Sequence, residues 1–128
     1  MRCSVVPHCP LIAVVDDDAS VRESLGGLFR SVGFTVRAFA SGADFLASDD
    51  LCATDCVILD VRMPGMTGLE LQRRLCASHR DIPVIFMTAH DDAQTRSRAL
   101  SGGAVDYLIK PFSEEALLDA VQAALAPQ

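Results

Sequence analysis

Four stretches of the chain run from mainly apolar residues straight into a polar one. Leu11 to Val15 meets Asp16-Asp17-Asp18, Cys56 to Leu59 meets Asp60, Pro83 to Met87 meets Thr88, and Val105 to Ile109 meets Lys110. Carboxylates brought together repel one another, so either their pKa values rise or a cation sits among them. Oxygen donors suit Mg²⁺, whereas Zn²⁺ favours His or Cys, which these positions lack. A lysine supplies a compact charge for a phosphoryl oxygen or a neighbouring carboxylate, and a threonine hydroxyl can donate to the same group. Ten of the eleven basic residues are arginine, and the one lysine is Lys110. An aspartate in such company can accept a phosphoryl group as an acyl phosphate, while the cation and the lysine offset charge on the transferring oxygens. Plainer readings stand beside this one. Asp60 precedes a turn containing Pro64-Gly65 and can be an ordinary loop aspartate, and the whole set can be an acidic metal site with a structural ion pair.

The elements that would position these residues follow from periodicity. Leu11 to Val15 is a short continuous apolar run, as in a strand covered on both faces. From Ala19 to Val32, the residues Val21, Leu25, Leu28, Phe29 and Val32 share one helical face, with Asp18 as N-cap and Gly33 as the stop. Thr35 to Phe39 alternates like a strand near a sheet edge. Ser41-Gly42-Ala43-Asp44 resembles a capping box ahead of a short helix carrying Phe45 and Leu46, and Ala47 to Asp55 reads as loop. Cys56 to Leu59 is the third strand, and Gly68 to Ala77 a helix with Leu69, Leu71 and Leu75 as its apolar members.

Pro83 to Met87 is the fourth strand. Asp91 or Asp92 caps a helix running to about Ser101, poor in large apolar residues and therefore weakly held, and Gly102-Gly103 ends it. Val105 to Ile109 is the fifth strand. Ser113 caps a final helix with Glu114 and Glu115 in its first turn and Leu117, Leu118, Val121 and Leu125 on its inner face. Strand and helix alternate five times, which calls for an α/β domain with a parallel sheet covered on both faces. Sites in such sheets form beyond the carboxyl ends of the strands, where all four polar strand ends would meet.

A chain of 128 residues suits a single domain. Half of the residues are hydrophobic and 22% are charged, the balance of a compact soluble protein. The formal net charge of −6 disfavours direct contact with a nucleic-acid backbone. No apolar run approaches the roughly 20 residues needed to cross a bilayer, so no membrane association is expected. Met1 to Pro10 lacks the apolar core of a signal peptide and reads as an N-terminal tail. Five cysteines without framework spacing fit reduced thiols and a cytoplasmic location. Cys3, His8 and Cys9 have no matching second ligand pair for a metal, and Cys56 reads as a small core residue.

The runs Val14-Val15-Asp16-Asp17-Asp18, Leu59-Asp60-Val61-Arg62-Met63-Pro64-Gly65-Met66-Thr67-Gly68, Met87-Thr88-Ala89 and Tyr107-Leu108-Ile109-Lys110-Pro111-Phe112 resemble the receiver domain of two-component response regulators. The resemblance extends from about Leu11 to Leu125, giving a tail over 1–10, a receiver over 11–126 and no output domain in this chain. It implies a flavodoxin-like, doubly wound five-stranded sheet of order 2-1-3-4-5. It makes Asp60 the residue phosphorylated by a sensor histidine kinase or a phosphotransfer protein. Asp17, Asp60 and the backbone carbonyl of Arg62 would hold Mg²⁺, with Asp16 acting largely through water. Thr88 and Lys110 would contact the phosphoryl oxygens, and Ala89 would leave room for the group to enter.

By the same resemblance Lys110-Pro111 carries a cis peptide bond, a proline phenomenon. Tyr107 turns inward as Thr88 moves, or is simply a half-buried aromatic. Arg62 and His90 stand where the family tunes phosphoryl lifetime. Gly103-Ala104-Val105-Asp106-Tyr107 with Lys110-Pro111-Phe112 is most similar to receivers joined to helix-turn-helix, nitrogen-fixation-type regulators, which implies transcription control; a stand-alone receiver is the alternative, and a homodimer on phosphorylation is a further expectation. No enzymatic turnover is expected beyond the domain's own phosphorylation and dephosphorylation. Two other classes share some of these residues. Phosphatases of the haloacid-dehalogenase type want a second Asp two positions after the nucleophile, where Arg62 stands, and unphosphorylated interaction modules usually lack one of the acidic residues, the Thr or the Lys, all of which are present here.

Overall fold

A computed structural model describes residues 10–78 and 82–126. Five strands, β1 (Leu11–Val15), β2 (Thr35–Phe39), β3 (Cys56–Asp60), β4 (Val84–Thr88) and β5 (Asp106–Ile109), alternate with five helices. The helices are α1 (Ala19–Ser31), α2 (Gly42–Leu46), α3 (Gly68–Ala77), α4 (Ala93–Ser101) and α5 (Glu114–Leu125). The strands form one parallel sheet in the order β2-β1-β3-β4-β5. Strand side chains alternate between two cores. Ala13, Val15, Val57, Leu59 and Phe86 face Phe45 of α2 and Leu71 and Leu75 of α3. Ile12, Val14, Ile58, Ile85 and Met87 face Leu25 and Phe29 of α1 and Leu117 and Val121 of α5. Burial on both sides explains why the central strands read as continuous apolar runs.

The caps fall where the sequence places them. Asp18, Ser41 and Ser113 each accept a hydrogen bond from a backbone N–H in the first turn of α1, α2 and α5. Asp92, rather than Asp91, caps α4, accepting from the amides of Gln94 and Thr95 and from the Thr95 hydroxyl. These bonds to its ionised form hold the Asp92 carboxyl below the usual carboxylate range. Cys56 is fully buried as expected, and burial pushes its thiol up to about 12.

Other expectations need correction. Val32 is not on the packed face of α1 but is its C-cap and 48% exposed, because the chain is already leaving the helix there. The stretch expected as loop contains a 3-10 turn at Leu51–Ala53, held because Leu51 enters the core and the Thr54 hydroxyl donates to the Asp50 carbonyl. In α5 the innermost line includes the small residues Ala120 and Ala124, with Leu118 and Leu125 only partly buried, since the helix packs close to the sheet.

The largest surprise is Gln72. It lies on the core side of α3, 4% exposed, and its Nε2 donates to the Ala99 carbonyl of α4 at 3.0 Å. Gly102 makes room for it, since a Cβ there would sit 2.7 Å from the amide oxygen. Ala99 is the one fully buried residue of α4, so this bond is a main tie between α4 and the body of the domain. Replacing Gln72 with Leu, of similar size, is expected to lower stability by about 1 kcal/mol. Urea unfolding should show a lower midpoint at unchanged slope, and an unchanged midpoint would remove the tie.

Candidate functional site

In a parallel sheet all strands finish on one edge, so the polar strand ends must meet there. The register sets Val15 beside Leu59 and Asp60 beside Met87, which makes Asp16 and Asp60 close neighbours at the ends of the adjacent strands β1 and β3. Thr88 pairs with Ile109, bringing Lys110 next, and the Lys110 amide donates to the Thr88 carbonyl at 2.7 Å. The Lys110-Pro111 peptide bond is cis. Asp16, Asp17 and Asp60 each offer a carboxylate oxygen within 4.8 Å of the others.

Each carboxylate has its own environment. Asp16 is fully buried; its Oδ1 accepts the Asp18 amide at 2.9 Å, and its Oδ2 lies 3.7 Å from the Lys110 ammonium without a hydrogen bond. Arg22, one turn into α1, donates from Nη1 to the Asp16 carbonyl at 2.7 Å and ties the strand end to the helix. Burial raises the Asp16 pKa, against the pull of the Asp18 amide and Lys110. Asp60 is partly open, and its Oδ1 accepts the Arg62 amide at 3.3 Å. Its pKa is also raised, first by burial and then by the nearby Asp16, with the Arg62 amide and Lys110 acting the other way. Asp17 is exposed at the mouth. Two carboxyls raised by confinement, and one buried oxygen left without a donor, fit a hard divalent cation such as Mg²⁺.

The turn after Asp60 is shaped by close packing. Gly68, the first residue of α3, lies so near β3 that a Cβ would stand 2.5 Å from the Asp60 carbonyl oxygen. Its amide donates to the Val61 carbonyl at 3.0 Å. Together these contacts hold α3 against the strand end and fix the loop that carries Arg62. Thr88 is 1% exposed and its Oγ1 accepts the His90 amide at 3.1 Å, while Ala89 and His90 are exposed at the rim.

Asp16, Asp17, Asp60, Thr88 and Lys110 thus share the edge that the sequence assigns to them. Tyr107 is set apart from it, within the core on the side of α3 and α4, 4% exposed, with its ring 6.4 Å from that of Phe86. Its hydroxyl is buried without a hydrogen bond. Burial, with Asp92 and Asp91 adding to it, raises the phenol pKa. Tyr107→Phe is therefore expected to leave the fold intact and raise its stability by roughly 1 kcal/mol, because an unsatisfied buried hydroxyl is removed. A lower melting temperature for Tyr107→Phe would mean that the hydroxyl finds a partner. The contribution of Arg22 escaped the sequence reading. Its signal was a basic residue one turn after the acidic run, which helical spacing alone does not single out. Cys3, His8 and Cys9 lie outside the described residues.

Comparison with known proteins agrees with this geometry. Residues 12–122 match the family model described as the response regulator receiver domain. Nodulation protein W of Bradyrhizobium diazoefficiens is 50% identical over 114 residues, covering 89% of this chain and 50% of that protein. Transcriptional regulatory protein TdiR of Thauera aromatica is 45% identical over 126 residues, 98% of this chain and 56% of that one. The chain spans about half the length of the curated relatives it matches. Among solved structures, the response regulator StyR superposes with a TM-score of 0.85 at 47% identity, covering 92% of this chain and 60% of that one. A response regulator receiver protein from Burkholderia phymatum gives 0.77 at 49% identity, covering 93% and 99%. Receiver domains take a phosphoryl group on an aspartate, bind Mg²⁺ at a cluster of aspartates, and interact with histidine kinases or other phosphodonors. With the family match running through nearly every element and an aspartate cluster at the carboxyl edge of its sheet, the chain belongs to the response regulator receiver domain family.

Proposed function

We propose that Asp60 is the phosphoacceptor of this receiver and that Asp16, Asp17, Asp60 and the Arg62 backbone carbonyl serve its Mg²⁺ site. The observation that carries this reading is the convergence of three carboxylates within 4.8 Å, with Lys110 3.7 Å from Asp16. A carboxylate oxygen of Asp60 attacks the phosphorus of a phosphohistidine on a sensor kinase or phosphotransfer protein. The P–N bond breaks, the departing imidazole takes up a proton, and an acyl phosphate remains on Asp60. Bound Mg²⁺ supplies Lewis-acid stabilisation of the phosphoryl oxygens and relieves the repulsion among the carboxylates. Lys110 adds a cation close by, and exposed Ala89 leaves the rim open for entry.

The switch runs through Thr88 and Tyr107. The Thr88 hydroxyl can turn from its bond with the His90 amide towards a phosphoryl oxygen, and Tyr107, whose hydroxyl has no tie to break, follows. Helix α4, with one buried residue and the Gln72 bond to hold it, is the element whose position such a change biases. The surface of α4, β5 and α5 then presents a different face to a second copy. Residues 11–126 form the receiver unit in this reading and act in the cytoplasm. The output is transcription control, as the name of the relative TdiR indicates for that protein.

Turnover of phosphate esters has less support, since the residue two positions after Asp60 is Arg62, which faces it with an amide rather than an acid. Incubation with acetyl phosphate and Mg²⁺ followed by intact-mass measurement tests the proposal. One added phosphoryl mass is expected, and none would refute it.

A further inference from the structure

We infer that the groove between α3 and α4 is a docking site for an acidic, amphipathic peptide segment of a partner protein. The groove is open and has a volume of about 570 Å³. It continues along α3 into a second depression of about 320 Å³ that shares Leu69, Arg73 and Arg98 with it. Its floor is apolar, with Val61 and Met63 nearly buried and Leu69 partly so, and its rim carries Arg62, Arg73 and Arg98. All three arginines are exposed, and among the described residues their side chains make no hydrogen bond or ion pair. Of the neighbouring acids, Glu70 is paired with Arg74 at 3.6 Å, and Asp92 is engaged in capping α4, close enough to Arg62 for the two charges to interact.

The stretch of sequence that supplies the groove runs against the charge of the rest of the chain. Residues 61–102 hold six basic and four acidic residues, whereas the rest of the protein holds five and thirteen. A cationic rim on an otherwise acidic molecule steers anionic partners to one place and repels them elsewhere. Guanidinium groups match carboxylates in geometry, and the apolar floor adds a surface that an acidic segment with one or two apolar residues would cover. A nucleic-acid backbone has no counterpart for that floor, and the acidic remainder of the molecule opposes so extended a polyanion. The groove borders the phosphoacceptor pocket at Arg62, but it is tested on the unphosphorylated chain with variants at Arg73 and Arg98, so its failure leaves the reading of Asp60 untouched.

The test is selection from a random peptide library displayed on phage against the immobilised full chain, with the double variant Arg73→Glu/Arg98→Glu as counter-target. The expected result is a consensus of Asp and Glu around an apolar residue. A synthetic peptide of that consensus should bind at least roughly tenfold more weakly to the double variant, lose affinity with added salt, and be unaffected by Arg30→Glu on α1. Amide shifts on its addition should centre on Leu69, Arg73, Thr95 and Arg98. Should the double variant lose its far-UV circular dichroism, Arg73→Gln/Arg98→Gln replaces it with the same expected direction. No enrichment over the counter-target, a neutral or basic consensus, shifts at another face, or binding of short duplex DNA in the groove in place of peptide would each overturn the inference.

Discussion

Asp60→Ala should gain no phosphoryl mass from acetyl phosphate and Mg²⁺ under conditions in which the unaltered chain gains one. The expectation is a complete loss rather than a partial one, because the substitution removes the attacking atom itself. Asp16 cannot substitute for it: that side chain is fully buried, with one oxygen engaged by the Asp18 amide and the other facing Lys110. Asp17 is exposed at the mouth and is the alternative acceptor that the experiment must exclude. An unchanged gain in Asp60→Ala would transfer the role to Asp17 and overturn the reading of the pocket. Lys110→Ala should behave differently. It leaves the nucleophile in place and removes one compensating charge, so phosphorylation should persist at a rate lower by on the order of 100-fold.

A second large effect concerns stability. Confinement raises the carboxyl pKa of both Asp16 and Asp60, so the folded state holds their protons more tightly than the unfolded chain does. The stability these groups contribute is fully present below the ordinary carboxylate value, and is lost as pH rises through their elevated folded values. Above that range, in a chelating buffer, the fold confines charge that burial disfavours. Asp60→Asn should therefore melt higher than the unaltered protein under those conditions.

Mg²⁺ should narrow or reverse the difference. A ligand present at 100 times its dissociation constant stabilises by about 2.7 kcal/mol, a rise on the order of 10 °C for a domain of this size. Asp60→Asn, lacking one ligand charge, should respond far less. Thermal melts of both proteins with chelator and with Mg²⁺ decide this, and equal responses to the cation would place the metal elsewhere.

Much of this molecule was legible from local pattern. Continuous apolar runs marked the central strands because both faces of the sheet are covered, and the alternating Thr35 to Phe39 marked an edge. The caps at Asp18, Ser41 and Ser113 were readable because a side chain and the amide it accepts lie only two or three residues apart. The strand order was carried by likeness of motifs to a family, since periodicity does not say which strands are neighbours. The errors arose where a residue's place depends on something distant in sequence. Leu51 looked like part of a loop until a core formed to receive it, and Val32 fitted a helical face that had already ended.

The sequence by itself determined that Asp16, Asp17, Asp60, Thr88 and Lys110 would stand at strand ends, since each follows an apolar run too short for a buried helix, and strands in a parallel sheet end together. Tertiary structure alone decided that Asp16 is buried while its neighbour Asp17 is open, that Lys110 pairs with Asp16, and that Gln72 reaches into the core to hold Ala99. It also decided that Arg62, Arg73 and Arg98 border one groove. The physical reason is common to all four. Local preference acts over a few residues and is written in their order, whereas burial, pairing and the focusing of charge arise between side chains that only the packed fold makes neighbours.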